Sequence, residues 1–380
     1  MVSPVGSTSG LEVVPERSDG RPRTDRPAAL MRLLLVGLPL LFILSPPLAS
    51  ETRLSADIEV YESILRTAPD DWRLLSSGTG SLSIASLGSR NVRGELAVSV
   101  PLTTTPTVAI DRAYVRFRLP RFRITAGSTA LSWGEGLLVN SGDLPNLEYD
   151  PSSDLLAGDY RSSGIWQVEL FVPLGPLSFV ELLVLPELSE FPALPDIGDA
   201  RAGGRAYIDA DVVAVQAGYL YDAPMHRVYG SVQGNLGVEL YAAFAHEVAQ
   251  DASDVAGSLL ASFEMSAGGF HTVSFARDRT VSFRIETRLK PTDLDDGLAT
   301  GATIGALVDL TVLPTLNLGL QALVSPTDPS ALLSGSVSWN MDQGLTILGA
   351  ASGNLGDDGT THDSAAFGSP AITLGVRYSF

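Results

Sequence analysis

Beyond residue 50, apolar and polar positions alternate with period two through most of the chain. Leu54, Ala56, Ile58 and Val60 alternate with Ser55, Asp57, Glu59 and Tyr61, and Leu96, Val98, Val100 and Leu102 form another apolar set. Ala113, Val115, Phe117 and Leu119 share one phase, while Arg112, Tyr114, Arg116 and Arg118 share the other. Val281, Phe283, Ile285, Thr287 and Leu289 likewise oppose Ser282, Arg284, Glu286 and Arg288. A strand turns successive side chains to opposite faces, so each segment predicts a β-strand with one apolar and one polar face. Charges spaced this regularly tolerate a solvent face or a wet lumen but are costly in a dry sandwich core.

Turn signals separate the runs: Pro120-Arg121, Gly175-Pro176, Asn235-Leu236-Gly237, Ala267-Gly268-Gly269 and Asp342-Gln343-Gly344. About nineteen candidate strands can be marked, and single-chain barrels need an even number. The expectation is an all-β, transmembrane, antiparallel up-and-down β-barrel of 18 strands, with 16 as the alternative. The miscounted split is expected between Arg201 and Tyr221 or between Ser258 and Leu289. Leu177 to Leu185 is apolar on both faces apart from Ser178 and Glu181, which predicts packing against another chain or against an inserted loop.

The two ends of the chain sharpen this reading. Ile372, Leu374, Val376, Tyr378 and Phe380 share one face of the last segment; Thr373, Gly375, Arg377 and Ser379 share the other. This pattern resembles the closing strand of bacterial outer-membrane β-barrels, which end in Phe with an aromatic residue two positions earlier. The resemblance implies that Tyr378 and Phe380 form an assembly signal read by the barrel-assembly machinery. Near the start, Met31-Arg32 precedes the mostly apolar run Leu33 to Leu44 and the small, turn-prone Ser45 to Ser50. That is the layout of a signal peptide, and the run is short of the roughly 20 residues a spanning helix needs. Residues 1–50 are therefore expected to be a leader and signal peptide with Met31 as the true start, and 51–380 a single barrel in the bacterial outer membrane.

Composition adds exclusions. Removing residues 1–50 takes away five Arg and four acidic residues, which moves the net charge from −18 to −19. Such an acidic chain lacks the cationic face nucleic acid needs. Cysteine is absent, so disulfides and thiolate metal sites are ruled out. A hydrophobic share of 45% without helical spans fits a barrel apolar outside and polar inside. The aromatic share, 7%, is low for two aromatic girdles.

Candidate chemistry gathers around one long irregular stretch, Leu131 to Ser163, after the expected fifth strand. Its Gly-x-x-x-Leu-Ser-Trp-Gly-Glu-Gly…Asn-x-x-Asp pattern (Gly127 to Asp143) is similar to one in several outer-membrane channel families. Its position resembles the porin loop that folds into the lumen. Beside it lies the densest basic cluster, Arg112, Arg116, Arg118, Arg121 and Arg123, expected to form a ladder on the inner wall. Facing it, the loop supplies Glu135, Asp143, Glu148, Asp150, Asp154 and Asp159. Opposed charges across a narrow pore select solutes, and rows of Arg favour anions. The competing reading is that these groups pair to pin the loop.

No enzyme, cofactor or metal site is expected. His226, His246, His271 and His362 are scattered, and no nucleophile elbow, phosphate loop or dinucleotide fingerprint is present. The acidic clusters at Asp293, Asp295-Asp296, Asp357-Asp358 and Asp363 lack the full spacing of a calcium-binding loop. The expected partners are outer-membrane lipid, the assembly machinery, small hydrophilic and especially anionic solutes and, by resemblance to porins, two further copies in a homotrimer. The alternative function is a non-conducting structural or surface-exposed barrel.

Overall fold

The computed structural model describes residues 51–68, 71–89, 91–102, 107–146, 164–187, 196–250, 262–276, 278–294, 297–357, 360–362 and 370–380. The expected leader and Met31 start lie outside the described residues. The strands are β1 (Glu51–Ala68), β2 (Asp71–Ser89), β3 (Val92–Pro101), β4 (Ala109–Arg118), β5 (Arg123–Thr129), β6 (Ile165–Pro173), β7 (Phe179–Glu187), β8 (Asp196–Ala210) and β9 (Val213–Asp222). They continue as β10 (Met225–Asn235), β11 (Glu239–Ala249), β12 (Glu264–Ala276), β13 (Arg279–Leu294), β14 (Gly297–Leu313), β15 (Leu316–Ser325), β16 (Ser330–Asn340), β17 (Leu345–Leu355) and β18 (Ala371–Ser379). Consecutive strands pair antiparallel, and β1 also pairs with β18, from Asp57 opposite Ser379 to Leu65 opposite Ala371. The result is a closed 18-stranded up-and-down barrel, as the even count required.

Closure removes every free sheet edge, which a strand in lipid cannot leave unpaired. Side chains then sort by phase. Leu54 and Val60 on β1, Phe283 and Ile285 on β13, Leu320 on β15 and Leu374 on β18 are exposed apolar groups on the outer face. The opposite phase carries Glu59, Arg116, Glu181 and Glu286 toward the lumen. Outward aromatic side chains collect toward the end where β18 finishes: Phe122, Phe275, Trp339, Tyr378 and Phe380 are all exposed there. Tyr and Trp seat at membrane interfaces, so this partial girdle marks one edge of the apolar band. We call that end the terminal rim and the other the far rim. Terminal-rim connections are tight, while the long connection after β5 opens at the far rim.

One expected turn proves to be strand. Ala267-Gly268-Gly269 lies inside β12, which runs unbroken from Glu264 to Ala276. A Cβ at Gly268 would sit 2.7 Å from Cε1 of Tyr241, so the glycine makes room for a ring lying across from the neighbouring strand. The pair falls within the region where the extra strand boundary was expected. Pro120-Arg121, Gly175-Pro176, Leu236-Gly237 and Gln343-Gly344 do mark strand connections.

Candidate pore constriction

Segment 131–146 folds into the barrel, and its own sequence supplies the fold. The Asp143 carboxylate accepts hydrogen bonds from the Trp133 amide (2.9 Å), the Ser132 hydroxyl (3.0 Å) and the Asn146 side chain (3.0 Å). Asn140 donates to the Trp133 carbonyl (2.8 Å) and accepts from the Gly142 amide (3.0 Å). The Ser-Trp…Asn-x-x-Asp part of the motif is thus a set of cross-braces around Trp133. Gly134 has φ 74°, and a Cβ there would meet Asn140 Oδ1 at 2.4 Å, so this position requires glycine.

Two wall carboxylates, Glu181 and Glu286, receive the folded segment. Trp133 is fully buried, stacks on Tyr229 (centroids 5.7 Å) and donates its indole N–H to Glu181 (2.8 Å), which also pairs with Arg205 (3.3 Å). Leu131, Trp133 and Leu144 pack with Leu183, Leu185, Leu220, Tyr229 and Ala245. The inward Leu183 and Leu185 explain why β7 is apolar on both faces: it packs against the inserted loop. Farther round, Leu138 packs with Leu307, Leu323 and Leu332. Glu286 accepts the successive amides of Leu137 (2.8 Å), Leu138 (2.7 Å) and Val139 (2.8 Å) and pairs with Arg284 (3.0 Å). Consecutive N–H groups forming a nest suit a carboxylate, and this one is wholly buried.

The arginine hairpin lies on the inner wall as its phase predicted. Arg112, Arg116, Arg118 and Arg123 face the lumen from β4 and β5, whereas Arg121 sits exposed in the turn between them. Their partners differ from the expected ones. Arg112 reaches Glu95 on β3 (3.4 Å), and Arg123 pairs with Glu169 on β6 (2.8 Å) while stacking on Phe171 (4.2 Å). Arg116 bonds Thr125 (3.3 Å) and lies over Tyr114 (5.2 Å). Arg93, absent from the sequence reading, stands directly opposite Arg116, and Arg118 directly opposite Arg123. Glu135 instead receives a hydrogen bond from Gln216, and the Gln233 amide nitrogen, turned to donate, lies 3.2 and 3.3 Å from its oxygens. Asp143 braces its own loop. Glu148, Asp150, Asp154 and Asp159 lie outside the described residues.

Sequence reasoning missed the receiving groups, Glu95, Glu169, Glu181, Arg205 and Glu286. Each sits on the polar phase of a strand, but whether it meets a loop atom or an arginine of the next strand is set by tertiary placement. It also missed an inner aromatic row toward the terminal rim, where Phe171, Phe179 and Tyr207 stack in series (4.7 and 5.3 Å). The histidines do not converge: His226 bonds Tyr219 and His246 bonds Ser262, each at 2.8 Å. Among the described residues no group of three or more His, Asp or Glu could hold a metal ion.

No family model and no curated protein matches this chain. Solved structures do. OccAB4 of Acinetobacter baumannii superposes with a TM-score of 0.56 at 8% identity, covering 88% of this chain and 100% of that one. OccD3 (OpdP) of Pseudomonas aeruginosa gives 0.55 at 10% identity, over 87% and 91%. Wzi of Escherichia coli, described as a carbohydrate-binding β-barrel involved in group 1 capsule assembly, gives 0.56 at 12%, over 86% and 84%. At these identities the likeness is one of fold, and the fold is that of bacterial outer-membrane barrels.

Proposed function

We propose that the protein is an outer-membrane channel for passive diffusion of small hydrophilic solutes, with a preference for anions. One observation carries the channel reading. The inserted segment is braced on itself and laid against part of the wall, with its apolar side chains on wall leucines and its amides on Glu286. A loop built this way narrows a lumen and leaves the rest of the inner face polar. The likeness to the Occ barrels is consistent with this reading. Wzi shows that the same fold also serves carbohydrate binding, which keeps the non-conducting barrel as the competing outcome.

The anion preference rests on the Arg93–Arg116 pair and, more weakly, on Arg118 opposite Arg123, which Glu169 already partly neutralises. Like charges directly across two strands are unfavourable, and an anion between them relieves the repulsion. The test is the reversal potential of the purified barrel in a planar bilayer under a KCl gradient. The expected value lies on the anion side and moves toward zero in the Arg116→Ser/Arg118→Ser/Arg123→Ser variant. An unmoved potential would leave these arginines as structural groups.

A further inference from the structure

The inserted segment does not use the wall evenly. Its contacts run from β7 through β16: Glu181 on β7, Arg205 on β8, Gln216 on β9, Tyr229 on β10, Ala245 on β11, Ser266 on β12, Glu286 on β13 and leucines on β14 to β16. The two carboxylates that hold the segment are closed off, with the Glu286 and Glu181 side chains 0% and 5% exposed, whereas Asp222 and Glu247 on the same arc, paired through Arg227, keep 29% and 36%. The segment leaves from β5 and packs on Ile165 of β6, and the rest of the wall, β17, β18 and β1 to β4, carries a second set of inward groups. At the barrel seam Glu59 accepts from both Tyr61 and Arg377, and Ser63 meets Thr373 at 2.9 Å. On β2, Ser81 faces Asp57, and on β3 and β4 Glu95 binds Arg112 and Tyr114. These charged side chains keep 21–36% of their surface exposed.

We infer that the solute path runs down this seam arc, between the inserted segment and β18–β1–β4, with the Glu59–Tyr61–Arg377 cluster as a specificity element. This rests on the channel reading above. Here Arg377 pairs with Glu59 and Arg112 with Glu95, serine and threonine hydroxyls lie between these pairs, and the Arg93–Arg116 pair adds positive charge toward the terminal rim. The paired stretch offers both donors and acceptors, and beside the arginines of β3 and β4 it suits small polyhydroxylated solutes that carry an anionic group. Removing the Arg377 charge would leave Glu59 as an uncompensated anion on the path.

The chain is free of cysteine, so single cysteines report accessibility without background. Ser81→Cys and Thr373→Cys place a thiol on the seam arc, and Ser231→Cys and Ser266→Cys place one on the covered arc. In folded protein the seam thiols should take up a charged methanethiosulfonate rapidly, read as a mass shift, and in the bilayer the same reagent should lower conductance in discrete steps. Thiols on the covered arc should label slowly and leave conductance unchanged. Equal labelling on both arcs, or block from the covered arc alone, would overturn the inference while leaving the channel intact. Absence of conductance in the unmodified protein would instead remove the channel reading and the path with it. Arg377→Gln should shift the reversal potential toward cations, and an unchanged potential would strip the seam cluster of its role.

Discussion

Glu286→Ala is the substitution whose effect follows most directly from the geometry. The carboxylate accepts three consecutive amides at 2.7–2.8 Å, and two of their residues, Leu138 and Val139, are almost wholly buried. A buried donor left without an acceptor costs about 1–3 kcal/mol. Three of them set an upper limit of about 9 kcal/mol, and water entering the space left by the side chain would reduce it. The apolar contacts of Leu138 with Leu307, Leu323 and Leu332 oppose release, at about 1.5–3 kcal/mol for one fully buried Leu. The amide loss exceeds that restraint over most of the range. The 137–139 stretch should therefore detach from β13 while Trp133 still holds the other end. The assay is single-channel recording with limited proteolysis on the same folded preparation. Higher or noisier open-channel current and new cleavage near Leu137 are expected. A folded variant with unchanged conductance, noise and digestion would refute the reasoning, because the carboxylate would then not be holding the loop.

Other predictions follow from the same structure. Trp133→Ala removes the centre of the loop cluster and should cost about 3–5 kcal/mol of loop stability, seen as accelerated hydrogen exchange of Ser132 to Gly134 with the barrel strands still protected. Leu320→Arg places a charge on the outer face and should destabilise the barrel by about 2–4 kcal/mol in lipid, measured by denaturant titration; no loss would mean that β15 does not face the membrane there. Deleting Phe380 removes the residue whose amide and carbonyl both bond Ala56 (2.9 Å each) and should lower the amount of folded barrel in the outer membrane, checked by heat-modifiable mobility on gels. Asp328, in the turn after β15, would be raised by burial alone, but hydrogen bonds from Ser325, Thr361 and Ser330 hold its carboxyl well below the usual carboxylate range. A depressed folded pKa means that the tie to Thr361 is intact above the ordinary carboxylate value and is lost only as pH falls through the lower one. The Thr361 amide protection factor should therefore survive below pH ~4, and its loss between about pH 5 and 4 would contradict the assignment.

The strand phases were legible because a barrel wall has one dry and one wet side, which imposes period two on every strand. Phe283, Ile285 and Leu374 point outward as the alternation requires, and the arginines of β4 and β5 point inward. The in-folded loop was legible for a different reason: the stretch 131–163 is too long and irregular to be wall, and its place after the fifth strand resembles the porin loop that enters the lumen. Partner choice was not legible. Glu135 and Asp143 looked like the counter-charges for the arginine hairpin, but register brings Glu95 and Glu169 beside Arg112 and Arg123 on neighbouring strands. No local pattern marks Glu286 as a receiver of amides 147 or more positions away. Gly268-Gly269 read as a turn because the sequence does not show the Tyr241 ring that occupies the space above.

The central claim is that a passage remains beside the inserted segment. Single-channel recording of the purified barrel in a planar bilayer tests it most directly. Stable, reproducible conductance steps are predicted. A folded, heat-modifiable barrel that never conducts would contradict the account and favour a blocked structural or carbohydrate-binding barrel.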